Sequence, residues 1–251
     1  VPLSGRVFTL SQGQQSIQFP AGFGIPVASH LPLSLATQVL NLNVDDPKAR
    51  VRHDVQVHFV RDSQLNEPMV PLFQGAVEGF KALEDARYYG VPEGDVDPDL
   101  HGAGCGVGSP AVDGSSDDDE YGQRFTAHWV VPPGREVNVT NVTRFLNLPF
   151  DTKAHYIAVH LHPFAESLTL RDLTLGQDVF SAQTTNSSGK IGLDAVEYYT
   201  SVDGITLFKD HQYELVSVYD NPLDEEVDSM AVMYLYLHDK QFTKPVFSSS
   251  L

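Results

Sequence analysis

The chain has 251 residues, with 33 acidic side chains against 16 Lys and Arg, which gives a formal net charge of −17. That balance argues against a nucleic-acid partner, because phosphate binding needs a basic face, and against adsorption to anionic lipid for the same reason. The length suits one large β domain or two small ones, and 19 Gly with 16 Pro spread along the chain favour many turns over a helical bundle. No stretch approaches about 18 apolar residues, so no membrane span is expected.

In chain order, Leu33 to Leu42 reads as a strand with weak periodicity. Val51 to Val60 is a clearer strand, with Val51, Val55, Val57 and Phe59 on one face. Pro71 to Ala86 is the helix candidate, since Phe73, Val77 and Phe80 fit helical spacing, although the segment could equally begin as a strand. Tyr88 to Gln123 is rich in Gly, Pro, Asp and Ser and reads as a long loop. A boundary between two halves is expected near residue 125, giving 1–125 and 126–251. His128 to Gly134 then looks like a strand ending in a turn. Further strands are expected at His155 to His162, Ser167 to Thr174, Tyr213 to Tyr219 and Met230 to Leu237. The turn signal Asp220-Asn221-Pro222 closes the third of these four.

The sharpest chemical feature is His160-Leu161-His162. On a strand, residues i and i+2 share a face with Cα atoms about 6.5–7 Å apart, so two imidazoles there can close on one metal. The alternative is a pair of histidines that merely share a surface or core face. The single Cys105 excludes an intramolecular disulfide and any multi-cysteine zinc or iron–sulfur site. Asp117-Asp118-Asp119-Glu120 lacks EF-hand spacing and reads as a solvated loop. His155 is expected to face away from His160, and His211, beside Asp210 in a turn, is a weak candidate to support a ligand. Asn138, Asn141 and Asn186 each open an N-x-S/T triplet. The start at Val1 fits a removed leader or a trimmed chain, and the expected location is secreted or periplasmic.

Around the histidine pair stand Val131-Pro132-Pro133-Gly134 upstream, Tyr213 to Asn221 downstream, and then Asp228-Ser229-Met230. In this order of motifs the chain resembles the copper type II, ascorbate-dependent monooxygenases, the family of peptidylglycine and dopamine β-monooxygenases. The resemblance spans roughly residues 18–75 and 126–238. It implies an all-β fold of two antiparallel β-sandwich, jelly-roll-like halves packed side by side. It also implies one copper ion per chain on His160, His162 and Met230. Two imidazoles and a thioether are a soft, neutral set that suits Cu(I) and leaves a position open for dioxygen or a small molecule. Met233 is the rival thioether, but i and i+3 on a strand face opposite sides.

The family's second, electron-supplying copper is not legible. Its Q-V-H-Y strand falls on Gln38-Val39-Leu40-Asn41, with Leu40 in the ligand place, and no His-His dipeptide occurs in the chain. His30, His53, His58, His101 and His128 are the histidines from which a second site would have to be rebuilt. The expected function is therefore a copper-binding protein with a single mononuclear site, for copper binding or for oxygen or peroxide activation. An electron donor or a copper-transfer partner is implied. The alternatives are a genuine monooxygenase with a rebuilt or partner-supplied second copper, and a metal-free β-sandwich interaction module.

Overall fold

The computed structural model describes residues 6–39, 41–46, 48–83, 117–118 and 121–244. Their strands are β1 (Phe23–Gly24), β2 (Val70–Glu78), β3 (Lys81–Ala82), β4 (Asp117–Asp118), β5 (Arg124–Thr126), β6 (Trp129–Val131), β7 (Gly134–Asn141), β8 (Thr152–Leu161) and β9 (Ala165–Asp172). They continue with β10 (Gln177–Asn186), β11 (Leu193–Val196), β12 (Tyr199–Leu207), β13 (Tyr213–Asn221), β14 (Val227–Ser229) and β15 (Ala231–His238). One short α-helix, Thr143–Leu146, follows β7. The fold is all-β.

Two five-stranded sheets carry the architecture, in the orders β1-β2-β15-β8-β12 and β11-β10-β9-β13-β7. Their facing sides form a continuous apolar core, with Phe73, Ile157 and Met233 from the first sheet against Leu168, Leu170 and Leu215 from the second. The second sheet shows a clean alternation along β13, whose odd-numbered residues from Tyr213 to Asn221 are buried. β15 does not alternate, and Ala231 to Leu237 is buried throughout. The reason is that its other face is also covered. Leu72, Tyr156, Tyr234 and Tyr236 on that face pack under Phe8, Ile17 and Phe19 from the N-terminal stretch. A strand buried on both faces reads as an unbroken apolar run, which is why Met230 to Leu237 is the longest such run in the sequence.

The expected strands around His155, Ser167, Tyr213 and Met230 all appear, shifted by no more than three residues at an end. Three expectations need correction. The described part of Pro71 to Ala86, through Leu83, is not a helix and begins as a strand: Val70 to Glu78 is β2, antiparallel to β15 from Leu72↔His238 to Glu78↔Val232, and 84–86 lie outside the described residues. The Phe73 and Val77 pair is four residues apart, an interval that keeps both side chains on one face of a strand as well as a helix. Val51 to Val60 forms no strand, and every residue in it is exposed. The described residues of Leu33 to Leu42 form none either. Alternation defines a face but supplies no ladder partner, and an unpartnered strand is not stable in water. Leu40 and most of Tyr88 to Gln123, with His101, Cys105, Asp119 and Glu120, lie outside the described residues. The first sheet crosses residue 125, because β2 pairs with β15.

Two polar features tie the edges together. The turn Pro132-Pro133 delivers the chain to Gly134, whose φ of 96° is a left-handed conformation that glycine adopts without strain. Lys81 and Glu136 form a buried ion pair at 2.8 Å, each side chain under a tenth exposed. Nearby, Thr140 Oγ1 accepts the Phe80 N–H at 2.8 Å, and Asn138 Nδ2 donates to the Phe80 carbonyl at 3.0 Å. Asn138 and Asn186 donate side-chain N–H groups to backbone carbonyls and Asn141 Oδ1 accepts the Thr143 N–H, so all three N-x-S/T amides have internal structural roles.

Removing one partner of a buried ion pair leaves the other charge uncompensated. Lys81→Met is therefore expected to lower unfolding free energy by about 3–5 kcal/mol, and Lys81→Met/Glu136→Leu to recover most of the loss. Urea denaturation measures both. A loss under about 1 kcal/mol for the single variant would mean that solvent already screens the pair.

Candidate metal centre

The end of β8 and the start of β15 build the site. Val232 pairs with His160 and Ala231 with Leu161. The ladder ends there; continued by one step, the same antiparallel register would set Met230 opposite His162, and even-numbered residues of both strands share one face. Met230 is half-buried against the cluster on that face, and the His160 and His162 rings meet edge to face at 5.2 Å between centroids. Met233, paired with Val159, is fully buried in the core between the sheets on the opposite face.

Each histidine is oriented by a protein oxygen. Ser11 Oγ lies 2.8 Å from His160 Nδ1. Ser11 is itself held by a tight turn, with mutual backbone hydrogen bonds to Gln14, and Gln14 Nε2 donates to the Tyr156 hydroxyl at 2.7 Å. His162 Nδ1 faces two acceptors of one residue, Asp228 Oδ2 at 3.1 Å and the Asp228 carbonyl at 3.3 Å. Neither oxygen can donate, so neutral His162 carries its proton on Nδ1 and presents a lone pair at Nε2. A ring nitrogen fixed in this way is the usual outer partner of a metal-ligating histidine.

The backbone around the pair is equally constrained. The Tyr219 hydroxyl accepts the His162 N–H at 3.4 Å and donates to the Met230 carbonyl. One buried phenol thus ties the second histidine to the methionine. Beyond Pro163, Phe164 holds φ at 69°, uncommon for a residue with a side chain. Its N–H donates to Asn186 Oδ1 at 2.6 Å and its carbonyl accepts the Asp220 N–H at 2.9 Å. Local strain of this kind persists where the surroundings over-determine it.

His128, which the sequence offered only among the histidines for a rebuilt second site, and Asp228, which it did not offer as a ligand, join the group. His128 Nε2 contacts Asp228 Oδ1, and the His128 ring meets His162 edge to face at 5.5 Å. The cause is the short ladder of β6 and β14, in which Val130 opposes Asp228 and Trp129 opposes Ser229. His128 lies two residues before Val130 and so on the same face as Asp228. Asp228 was visible as the acidic residue before Met230. Nothing local connected it to His128.

Other histidines stand apart. His155 does not simply face away from His160: a register shift in the β8–β15 ladder at this point places it against Phe23, which packs on the outer cluster. It remains near His238 and the Ser201 carbonyl, not the site. His211 is not a support for these ligands. It pairs with Asp172 at 2.7 Å, at the other end of β9 and β13. His30, His53 and His58 are exposed.

The electrostatics favour neutral imidazole at His160. Burial, with repulsion from His162, His128 and Arg6 adding and Asp228 opposing, pushes its value down to about 4. For Asp228, burial works to raise the carboxyl, but hydrogen bonds and charge from His162 and His128 outweigh it and hold the group below the usual range. The residues fit the copper that the resemblance implies. Two imidazoles with oriented rings and a half-buried thioether on one face form the soft donor set that copper takes.

No family model, no curated protein and no solved structure matches this chain. The metal reading therefore stands on the residues and their geometry.

A histidine with a folded-state value below its unfolded value near 6.5 contributes stability in full above that pH and loses it as pH falls toward the folded value. His155 and His238 are also lowered, chiefly by burial, and act in the same direction. The metal-free chain is expected to lose stability between pH 6.5 and 4, and His160→Gln to reduce that slope. Urea midpoints across this range check it. An unchanged slope in His160→Gln would place the titration elsewhere.

Proposed function

We propose that the chain is a copper-binding protein that holds one ion on His160, His162 and Met230, for copper binding or for oxygen or peroxide activation. The observation that carries this reading is the end of β8: two imidazoles in edge contact, each with Nδ1 beside a protein oxygen, with a thioether on the same face. Copper bound there would supply a soft redox centre with a position open to dioxygen or a small molecule. Ser11 and Asp228 hold the two rings in orientation, and Tyr219 holds Met230 level with His162. Thiols compete with thioethers for Cu(I), which suits a secreted or periplasmic setting better than a reducing cytosol.

The ligand assignment is tested by Cu(I) titration against a competing chelator. The chain is expected to take one Cu(I), bound far more tightly than by His160→Ala or His162→Ala. Met230→Leu keeps the packing volume and should weaken Cu(I) more than Cu(II), because the lost donor is the soft one. If Met233→Leu has that effect instead, the register assigned at the start of β15 fails. Zero copper on folded protein would overturn the reading.

One Cu(I) supplies one electron, whereas hydroxylation by the family that the sequence resembles consumes two. Ascorbate-driven turnover on a peptidylglycine or a phenethylamine is expected to be slow and uncoupled, with oxygen reduced to peroxide. Oxygen uptake matched to hydroxylated product measures coupling. Stoichiometric coupling at roughly 1–1000 per second would require a second electron source and favour a genuine monooxygenase.

A further inference from the structure

We infer that His128, His162 and Asp228 form a second and harder metal site, for a divalent ion such as zinc, that shares His162 with the copper site through the opposite ring nitrogen. One donor atom from each of the three residues lies within 4.8 Å of the other two. Zinc bonds nitrogen and oxygen at about 2.0–2.2 Å, which puts donors around one ion roughly 3–3.6 Å apart. The 3.1 Å between His162 Nδ1 and Asp228 Oδ2 already meets this, while His128 Nε2, now in direct contact with Asp228 Oδ1, would draw back to that spacing around an ion.

The donor chemistry differs from that of the neighbouring set. Two imidazoles and a carboxylate suit a borderline divalent cation, and the carboxylate adds the negative charge that the His160, His162 and Met230 set lacks. The position is also reachable. His162 is nearly buried, with a side chain 7% exposed, while Asp228 opens to solvent at 42%. A cation approaching a chain of net charge −17 meets the carboxylate first. The three residues come from the end of β8, the residue before β6, and β14, so rigid ladders hold the group on either side.

Sharing His162 has a chemical consequence, which rests on the copper reading where zinc binding itself does not. A neutral imidazole has one lone pair. A divalent ion on Nδ1 displaces the proton now shared with Asp228, and the ring stays a neutral imidazole by taking a proton from solvent at Nε2. With the proton on Nε2, the lone pair that would face copper is gone. Zinc and Cu(I) should then compete although their other ligands are separate.

The experiment is calorimetric titration of the folded, metal-free chain with zinc chloride, with circular dichroism on every variant. One zinc per chain is expected. His128→Gln and Asp228→Asn should each weaken it at least tenfold, while His160→Gln and Met230→Leu leave it within about threefold. His128→Gln should retain Cu(I), and zinc preloading should weaken Cu(I) at least tenfold in the wild type. No zinc on folded wild-type protein, or zinc affinity unmoved by both His128→Gln and Asp228→Asn, overturns the inference and leaves the group as hydrogen bonds that orient His162. Zinc bound as expected with no Cu(I) bound overturns the copper reading alone. Both metals bound at once without mutual weakening overturns the sharing of His162. Cobalt(II) absorption gives a second readout: loss of intensity in Asp228→Asn supports a carboxylate ligand, and no change counts against it.

Discussion

The pairing of β8 with β15 in the middle of one sheet is the constraint on which the rest depends. Both strands are buried on both faces, one against the opposing sheet and the other beneath the N-terminal stretch. A slip of one residue would move every side chain to the wrong face. It would also turn Met233 out of the core and Met230 away from the face that carries His160. The same hydrophobic matching that closes the core therefore decides which methionine shares a face with His160. Covering the outer face has a second effect: the N-terminal stretch brings Ser11 to His160. A segment that packs as a lid on apolar residues thus also supplies a polar partner at the site.

Where the sheets stop, hydrogen bonds take over the positioning. The Tyr219 hydroxyl joins the His162 backbone to the Met230 carbonyl. Asn221, two residues on, donates to the Val131 and Glu225 carbonyls and accepts the Leu223 N–H. These side chains fix the loop that leads into β14, and β14 carries Asp228. In a buried setting each bond left unmade costs about 1–3 kcal/mol, so the loop geometry is held more firmly than its lack of strand structure suggests. The left-handed Phe164 on the other side of the pair is pinned in the same way, by Asn186 and Asp220.

On the proposed metal reading, His162 would stand between two unlike donor sets. Toward Met230 and His160 the surroundings are half-buried and include no carboxylate ligand, with Arg6 the nearby charge. Toward Asp228 and His128 they include a carboxylate open to water. An imidazole has two nitrogens but, when neutral, only one lone pair, so it can serve one side at a time. The structure sets these alternatives side by side on one ring.

By itself the sequence determined what is local. Period-two alternation and scattered turn residues favoured β structure, because side-chain periodicity follows directly from strand geometry, and the resemblance implied the all-β class. His160-Leu161-His162 on one strand face was legible for the same reason, and Asp228-Ser229-Met230 marked the segment that approaches it. What the sequence did not determine was partnership. The alternation of Val51 to Val60 looked as strand-like as that of β13, yet β13 finds β7 and β9 on either side while Val51 to Val60 finds no ladder. Phe73 and Val77 suited a helix until β15 gave them a neighbour. His128 looked like any other histidine until the ladder between β6 and β14 brought it to Asp228. Pairing joins residues far apart in the chain and is decided by the summed burial of whole faces, a quantity that no short stretch of sequence contains. Only the tertiary structure could decide it.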